Sequence, residues 1–170
     1  LLLPLLVAAA APLALPAAQP VGSATLARDA ETRWVPFELT PGNQLRFTMT
    51  VDGRPATAIL DTGVSYSVLS RRFAERAALK VRPGGNATAI GGVVDIGWTP
   101  TATIAMGGLT RRGGGLTVAT LPAIATGSAD AVDLLVGRDL TGGFALDIDY
   151  AGRRFRLLPS GRLPLSLIHI

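Results

Sequence analysis

The stretch on which the interpretation of this chain depends is Ala58-Ile59-Leu60-Asp61-Thr62-Gly63-Val64-Ser65-Tyr66-Ser67-Val68-Leu69. It predicts an apolar strand that runs into Asp-Thr-Gly and a second apolar strand that leaves it. The carboxylate of Asp61 can hold or take a proton, and the hydroxyl of Thr62 can fix a tight loop. Because Gly63 has no Cβ, a backbone N–H can approach the carboxylate closely. Such a loop presents one acid at a rigid point, as a hydrolytic site requires.

A second informative segment, far downstream, is Leu134-Leu135-Val136-Gly137-Arg138-Asp139-Leu140. Together the two segments resemble the active-site loop of the retropepsin-like aspartic proteases and the apolar-apolar-Gly segment that packs behind it. Val64 stands where Ala is commoner in that family. Taken alone, Asp61-Thr62-Gly63 is better explained as an ordinary Asp/Gly turn. The two segments in this order favour the family, and the resemblance extends from Val35 to Leu158.

The resemblance implies both a fold and a mechanism. The fold would be mainly β, a closed antiparallel acid-protease barrel with one short helix. Asp61, Thr62 and Gly63 would be the catalytic residues of an aspartic endopeptidase. In such an enzyme two carboxylates share a proton and activate one water, and the optimum is acidic to mildly acidic. Thr62 would interlock with its counterpart across a two-fold axis, Gly63 would offer its N–H to the carboxylates, and no cofactor or metal is implied.

The second carboxylate has to come from elsewhere, because no other Asp-Thr-Gly or Asp-Ser-Gly occurs in the 170 residues. A homodimer would supply Asp61 from each chain across a two-fold axis. Alternatively, the sequence is one lobe of a truncated two-lobed protease, or a non-catalytic peptide-binding module on the same fold. The intact Asp-Thr-Gly favours catalysis. The expected partners are a peptide or protein substrate and a second copy of the chain.

Residues 88–94 predict a β-hairpin with Gly-Gly at its tip. In the family a glycine-tipped hairpin folds over the cleft as a flap, so the resemblance implies that Ile90, Gly91 and Gly92 bind substrate. A plain surface hairpin is the alternative. Trp98, which follows, either lines a substrate pocket or is simply half-buried on a strand.

One departure from the viral members of the family concerns charge pairing. Those enzymes carry an acid shortly after the catalytic Asp, and it pairs with the Arg that follows the downstream Gly. Here the Arg is present as Arg138, but Ser65 and Tyr66 occupy the region of the acid. We expect Arg138 to pair instead with Asp139 or Asp133, or to face solvent.

Composition excludes several classes of function. Cys is absent, which excludes disulfides, cysteine-based zinc sites and thiol catalysis. The one His, His169, lies next to the end of the sequence, where it does not support a Ser-His-Asp triad or a histidine metal site. The net charge is +4, but the Arg pairs are scattered and aromatic residues make up only 5%. No nucleic-acid partner is therefore expected.

The chain divides into four predicted parts. Residues 1–20 are Leu/Ala-rich, uncharged and broken by three prolines, which indicates a truncated signal peptide and no stable membrane insertion. Residues 21–34 are a predicted linker, and residues 35–160 are the predicted protease domain. Residues 161–170 break the preceding pattern and resemble a non-native tail. We therefore expect an exported protein, either periplasmic in a bacterium or secreted.

Local patterns inside the domain predict individual elements. Residues 45–51 alternate between apolar and polar side chains, and Asp52-Gly53 then predicts a hairpin turn. Ser70 is a good helix N-cap for a helix over residues 71–79. Residues 83–86, Pro-Gly-Gly-Asn, are predicted to end that region as a turn.

Overall fold

The computed structural model describes residues 22–89, 92–101, 103–123 and 131–161. The predicted signal segment and nearly all of the predicted tail lie outside these residues, as do Ile90 and Gly91 of the predicted hairpin tip. None of the helices in the described parts of the chain is long and apolar enough to cross a lipid bilayer.

The described residues form a mostly β fold, as predicted. The strands are β1 (Ser23–Leu26), β2 (Val35–Leu39), β3 (Leu45–Val51), β4 (Arg54–Leu60), β5 (Val68–Ser70), β6 (Arg82–Ala89), β7 (Gly92–Pro100), β8 (Thr103–Met106), β9 (Leu109–Arg112), β10 (Gly115–Ala119), β11 (Leu134–Val136), β12 (Phe144–Asp149) and β13 (Arg154–Pro159). The helices are α1 (Arg71–Arg76), α2 (Arg138–Thr141) and a 3-10 turn (Ala30–Thr32).

The sheet differs from the predicted barrel in two details. Its strand order is β1-β9-β8-β3-β4-β11-β5-β10-β7-β6, with β2 joining β3 to the β12–β13 hairpin. Within the described residues this order is open, with β1 at one end and β6 at the other, so the barrel is not closed. A second short helix, α2, follows β11, where the sequence predicted only one helix in the domain.

The β3–β4 hairpin follows the pattern of its sequence. Leu45, Phe47, Met49 and Val51 are all buried, whereas the residues between them are partly or fully exposed. The turn residues Asp52-Gly53 have φ angles of 50° and 75°, which is the left-handed conformation that a two-residue hairpin turn requires. The hairpin thus carries the chain back along β4 and delivers Asp61 at its end.

Strand β11 lies between the two strands that carry the Asp61 loop. It runs parallel to β4, with Leu135 opposite Ile59, and antiparallel to β5, with Leu134 opposite Leu69. Leu134 and Val136 are fully buried. Because β11 separates β4 from β5, the chain between these two strands must cross the end of β11, and the Asp61 loop makes this crossing.

Helix α1 begins at the predicted cap and ends early. The Ser70 hydroxyl accepts a hydrogen bond from the Phe73 N–H at 3.0 Å, as expected of an N-cap. The helix ends at Arg76 and not at residue 79, because Ala78 has a left-handed φ of 53°. The Leu79 N–H then bonds back to the Ala74 carbonyl at 2.9 Å, which closes the C-terminus.

Two predicted irregular segments form strands. Residues 23–26, inside the predicted linker, pair with β9 as β1, so this part of 21–34 belongs to the sheet. The Pro-Gly-Gly-Asn run at 83–86 lies within β6, where the register shifts between Pro83 and Gly85. A β-bulge accommodates Pro and Gly in a strand, and a strong turn signal therefore lies within a strand.

We expect Leu134→Ala to lower the free energy of unfolding by about 2–5 kcal/mol, the usual cost of a cavity in a close-packed core. Leu135→Ala is the matched control, because Leu135 is only half-buried on the same strand. Leu135→Ala should lower the free energy of unfolding by at least about 1 kcal/mol less than Leu134→Ala does. Urea unfolding of both variants measures the difference, and equal losses would contradict the burial pattern of β11.

Candidate active site

Asp61 lies at the end of β4 and is half-buried. Its N–H donates to the Val136 carbonyl at 3.0 Å, which extends the pairing of β4 with β11 to the acid itself. The Gly63 N–H donates to Asp61 Oδ1 at 2.9 Å, as the Asp-Thr-Gly pattern implies. A Cβ at Gly63 would lie 3.1 Å from this oxygen. Thr62 and Gly63 are exposed, so the tip of the loop faces outward.

The remainder of the loop is attached to the first turn of α2. The Arg138 N–H donates to the Val64 carbonyl at 3.0 Å, and the Asp139 N–H donates to the Ser65 carbonyl at 3.1 Å. Helix α2 therefore uses free backbone donors of its N-terminus to bind loop carbonyls. The family resemblance placed the Gly137 segment behind the loop, and these bonds show the contact.

Gly137 is a point of very close backbone approach. A Cβ at this position would lie 2.9 Å from the Val64 carbonyl oxygen, 2.9 Å from the Tyr66 carbonyl carbon and 3.1 Å from the Ser67 nitrogen. All three atoms belong to the backbone, which cannot move aside as a flexible side chain can. The residue after β11 must therefore be Gly for the loop to pack in this position.

Ser67 and Asp139 form a bonded pair that no sequence pattern indicated. The Ser67 hydroxyl donates to Asp139 Oδ1 at 2.6 Å, and the Ser67 N–H donates to the same oxygen at 2.8 Å. The hydroxyl also accepts from the Gly137 N–H at 2.9 Å. Ser67 is 1% exposed, so the donor side of these bonds is removed from solvent.

Arg111 is a buried cation beside this pair. Its Nη1 lies 3.6 Å from Asp139 Oδ2, and its Nη2 donates to the Gly115 carbonyl at 2.9 Å and to the Thr101 hydroxyl at 3.2 Å. Burial lowers the pKa of the Arg111 guanidinium, and the charges of Asp139 and Asp52 oppose that effect. Asp139 thus forms an ion pair with this buried group.

Arg138 follows the last of the three alternatives that the sequence left open. It is exposed, and the two acids proposed as partners bond to other arginines. Asp139 faces Arg111, and Asp133 accepts from Arg76 at 3.2 Å and lies 3.5 Å from Arg72. Of the three alternatives for Arg138, solvent exposure is the one observed.

A cavity of about 470 Å³ opens beside the loop. Its lining includes Tyr66, Ser67, Ile96, Trp98, Arg111 and Asp139. Trp98 is half-buried on β7, as one of the two alternatives predicted, and it also lines this cavity. Substrate binding at Trp98 stays a prediction. Tyr66 is 72% exposed and projects at the cavity edge from the segment that follows the Asp-Thr-Gly.

The predicted hairpin is longer than the sequence pattern indicated. Strand β6 pairs with β7 from Arg82 opposite Trp98 to Ala89 opposite Gly92, the last described pair. Gly92 has a φ of 130°, a value that favours glycine. Because Ile90 and Gly91 lie outside the described residues, their substrate contacts stay a prediction.

We expect Gly137→Ala to lower the free energy of unfolding by about 1–3 kcal/mol, because the added methyl group collides with backbone of the Asp61 loop. Gly143→Ala is the matched control, since a Cβ there meets nothing within 4 Å. It should change stability by no more than about 0.5 kcal/mol. Urea unfolding measures both changes. An unchanged free energy of unfolding for Gly137→Ala would contradict the close packing of the loop against Gly137.

Comparisons with solved structures identify similar folds. A retropepsin-like aspartic protease from Rickettsia conorii is 13% identical, with 81% of this chain and 95% of that chain covered and a TM-score of 0.55. The EIAV protease with the inhibitor HBY-793 is 24% identical over 57% of this chain and 84% of that chain, with a TM-score of 0.46. The retroviral protease-like domain of Ddi1 from Leishmania major is 23% identical over 71% and 98%, with a TM-score of 0.41. Only the first of the three supports the fold.

The family comparison covers the elements that form the site. A search of the curated proteins gave no match. The profile of a family described as aspartyl protease matches residues 47–140, which is more than half of the chain. The matched region contains β4, the Asp61 loop, β11 and the start of α2. The chain therefore belongs to the aspartyl protease family and has its retropepsin-like fold.

Proposed function

We propose that this protein is an aspartic endopeptidase in which Asp61 of each subunit of a homodimer forms one catalytic pair. The observation that carries the proposal is the geometry of the loop. Asp61 accepts the Gly63 N–H within an intact Asp-Thr-Gly, and β11 and α2 hold the loop from behind. A non-catalytic role would not require an acid to be kept in so constrained a position.

The proposed chemistry uses two carboxylates around one water. Two acids about 3 Å apart do not both ionise readily, so they share one proton. The ionised carboxylate takes a proton from the water as it attacks the peptide carbonyl, and the protonated one assists the carbonyl oxygen. Because the pair titrates as a unit, activity should be highest in the acidic to mildly acidic range.

The exposure of the loop tip supports a dimer. Thr62 and Gly63 both face outward, so a second copy can approach along a two-fold axis and bring its own Asp61 beside the first. Thr62 would then contact its counterpart across the axis. A second, homologous lobe from a longer chain would satisfy the same requirement and is the alternative assembly.

The substrate would be a peptide or an unfolded protein segment. The β6–β7 hairpin ends next to Gly92, and Val93 beside this glycine is 69% exposed. We propose that Ile90, Gly91 and Gly92 act as a flap whose backbone bonds an extended substrate. The leader-like composition of residues 1–20 supports the further proposal that the protein is exported.

We expect the full chain to cleave a denatured protein substrate between about pH 3 and 7. Asp61→Asn should lower kcat by at least about a hundredfold, because it removes the acid–base function while keeping the shape of the side chain. Asp149→Asn is the control, since Asp149 bonds Gly152 and Arg154 on the β12–β13 hairpin. Equal cleavage by wild type and Asp61→Asn would exclude Asp61 as the catalyst. A monomeric, inactive wild type would favour the two-lobed enzyme or the binding module.

A mixing experiment tests whether the two acids come from different chains. If they do, a fourfold excess of Asp61→Asn that exchanges freely with wild type should reduce wild-type activity about fivefold, because most wild-type chains then pair with the variant. The control is the same excess of an inert protein that is not cut. Undiminished activity, with exchange shown by mass measurement, would contradict the shared pair.

A further inference from the structure

We propose that Ser67, Asp139 and Arg111 are positioning residues that hold the Asp61 loop in its catalytic place. We refer to these three residues as the Ser67 network. The inference rests on the proposed function, because positioning matters only if Asp61 has to meet a partner and a substrate. It concerns residues that lie outside the Asp-Thr-Gly motif.

The hydroxyl of Ser67 is the centre of the Ser67 network. It donates to Asp139 Oδ1 at 2.6 Å and accepts from the Gly137 N–H at 2.9 Å. The Ser67 N–H adds a second bond to the same carboxylate oxygen at 2.8 Å. Hydrogen bonds to an ionised group are shorter and roughly twice as strong as neutral ones. One buried side chain thus joins the end of the loop to both sides of the β11–α2 junction.

Arg111 anchors this junction to a different part of the sheet. Its Nη1 faces Asp139 Oδ2, while its Nη2 bonds the Gly115 carbonyl and the Thr101 hydroxyl. The Arg111 side chain is only 6% exposed and that of Asp139 20%. Removing Asp139 would leave the buried Arg111 guanidinium without this counter-charge. The loop is therefore connected through Asp139 to β9 and β10.

The location of these bonds indicates that they position the Asp61 loop and do not only stabilise the fold. They act on Ser67, Gly137 and Asp139 at the end of the loop, whereas β4, β5 and β11 also contribute buried side chains to the apolar core. Loss of the Ser67 hydroxyl would leave the strands and the backbone bonds of Val64 and Ser65 to α2 in place, and would loosen the end of the loop. An error of about 1 Å in the placement of a catalytic group can cost on the order of a hundredfold in rate.

The experiment compares two buried hydroxyls next to Gly137. Ser67→Ala removes the centre of the Ser67 network. Thr141→Val removes a hydroxyl that bonds the Gly137 carbonyl at 3.2 Å from within α2, and Thr141 is 8% exposed. We expect Ser67→Ala to lower kcat by about tenfold to a hundredfold, with KM changed less than about threefold. Thr141→Val should keep kcat within about twofold.

Further variants separate the effect of losing the Ser67 hydroxyl from the effect of changing the volume of the side chain. Ser67→Thr keeps the hydroxyl and should restore most of kcat, because Ser67 lines the cavity and is not packed into the apolar core. Ser67→Ala combined with Asp139→Ala should cost little more than Asp139→Ala alone, since both changes break the same contact. Full additivity of the two losses, or equal kcat for Ser67→Ala and Thr141→Val, would overturn the proposal. If Ser67→Ala does not fold, Asp139→Ala is compared with Thr141→Val by the same criteria.

A second readout does not require activity. The Gly63 N–H reports on the loop through its bond to Asp61 Oδ1, and the Asp61 N–H reports on the end of β4. In Ser67→Ala, hydrogen exchange at Gly63 should accelerate at least about tenfold, while exchange at the core strand β11 stays unchanged. Unchanged exchange at Gly63 would overturn the positioning role. An inactive wild type whose Gly63 exchange nevertheless responds would contradict the proposed function only.

Discussion

The structure depends on one geometrical constraint, the insertion of β11 between β4 and β5. Both neighbours use their backbone groups to pair with it, one parallel and one antiparallel. A parallel pair cannot be formed by a short turn, so β11 has to come from a distant part of the chain. Once it is in place, the link from β4 to β5 has to pass over its end, and Asp61 is the first residue of that link.

Two carboxylates, one on each side of β11, reinforce this insertion. Asp133, just before the strand, accepts the Thr57 N–H at 3.1 Å and pairs with Arg76. Asp139, just after it, accepts from Ser67 and faces Arg111. Each acid thus bonds both a backbone N–H and a guanidinium on another element. Charges removed from water are tolerated when they are paired, and here the pairs hold both ends of β11, a strand of only three residues.

Sequence reasoning succeeded where the signal was local. The alternation in β3, the Asp52-Gly53 turn and the Ser70 cap each depend on residues within a few positions of one another, and all three have the predicted geometry. It failed where tertiary pairing decided the outcome. Residues 23–26 became a strand because β9 offered an edge, and the turn-like run at 83–86 became a bulged strand because β7 pairs with it.

The site shows the same division between local and distant signals. The bond from Gly63 to Asp61 follows from the tripeptide, but the contact of Ser67 with Asp139 joins residues 72 positions apart. No period or spacing connects them. The family resemblance placed Gly137 behind the loop without indicating that Ser67, Asp139 and Arg111 would meet there. Arg111 lies in a strand of otherwise ordinary composition. Its burial, which would have marked it as unusual, cannot be seen in a single sequence.

The dependence of the Asp61 loop on β11 also has a consequence for how the molecule is made. A chain emerging from the ribosome has completed Asp61 long before residues 134–139 exist, and until then the loop lacks the strand over which it passes. Contacts of such large sequence separation form late and slowly, since the intervening chain has to be ordered first. The Asp61 loop can therefore take the position described above only after residues 134–139 have been made and have joined the sheet.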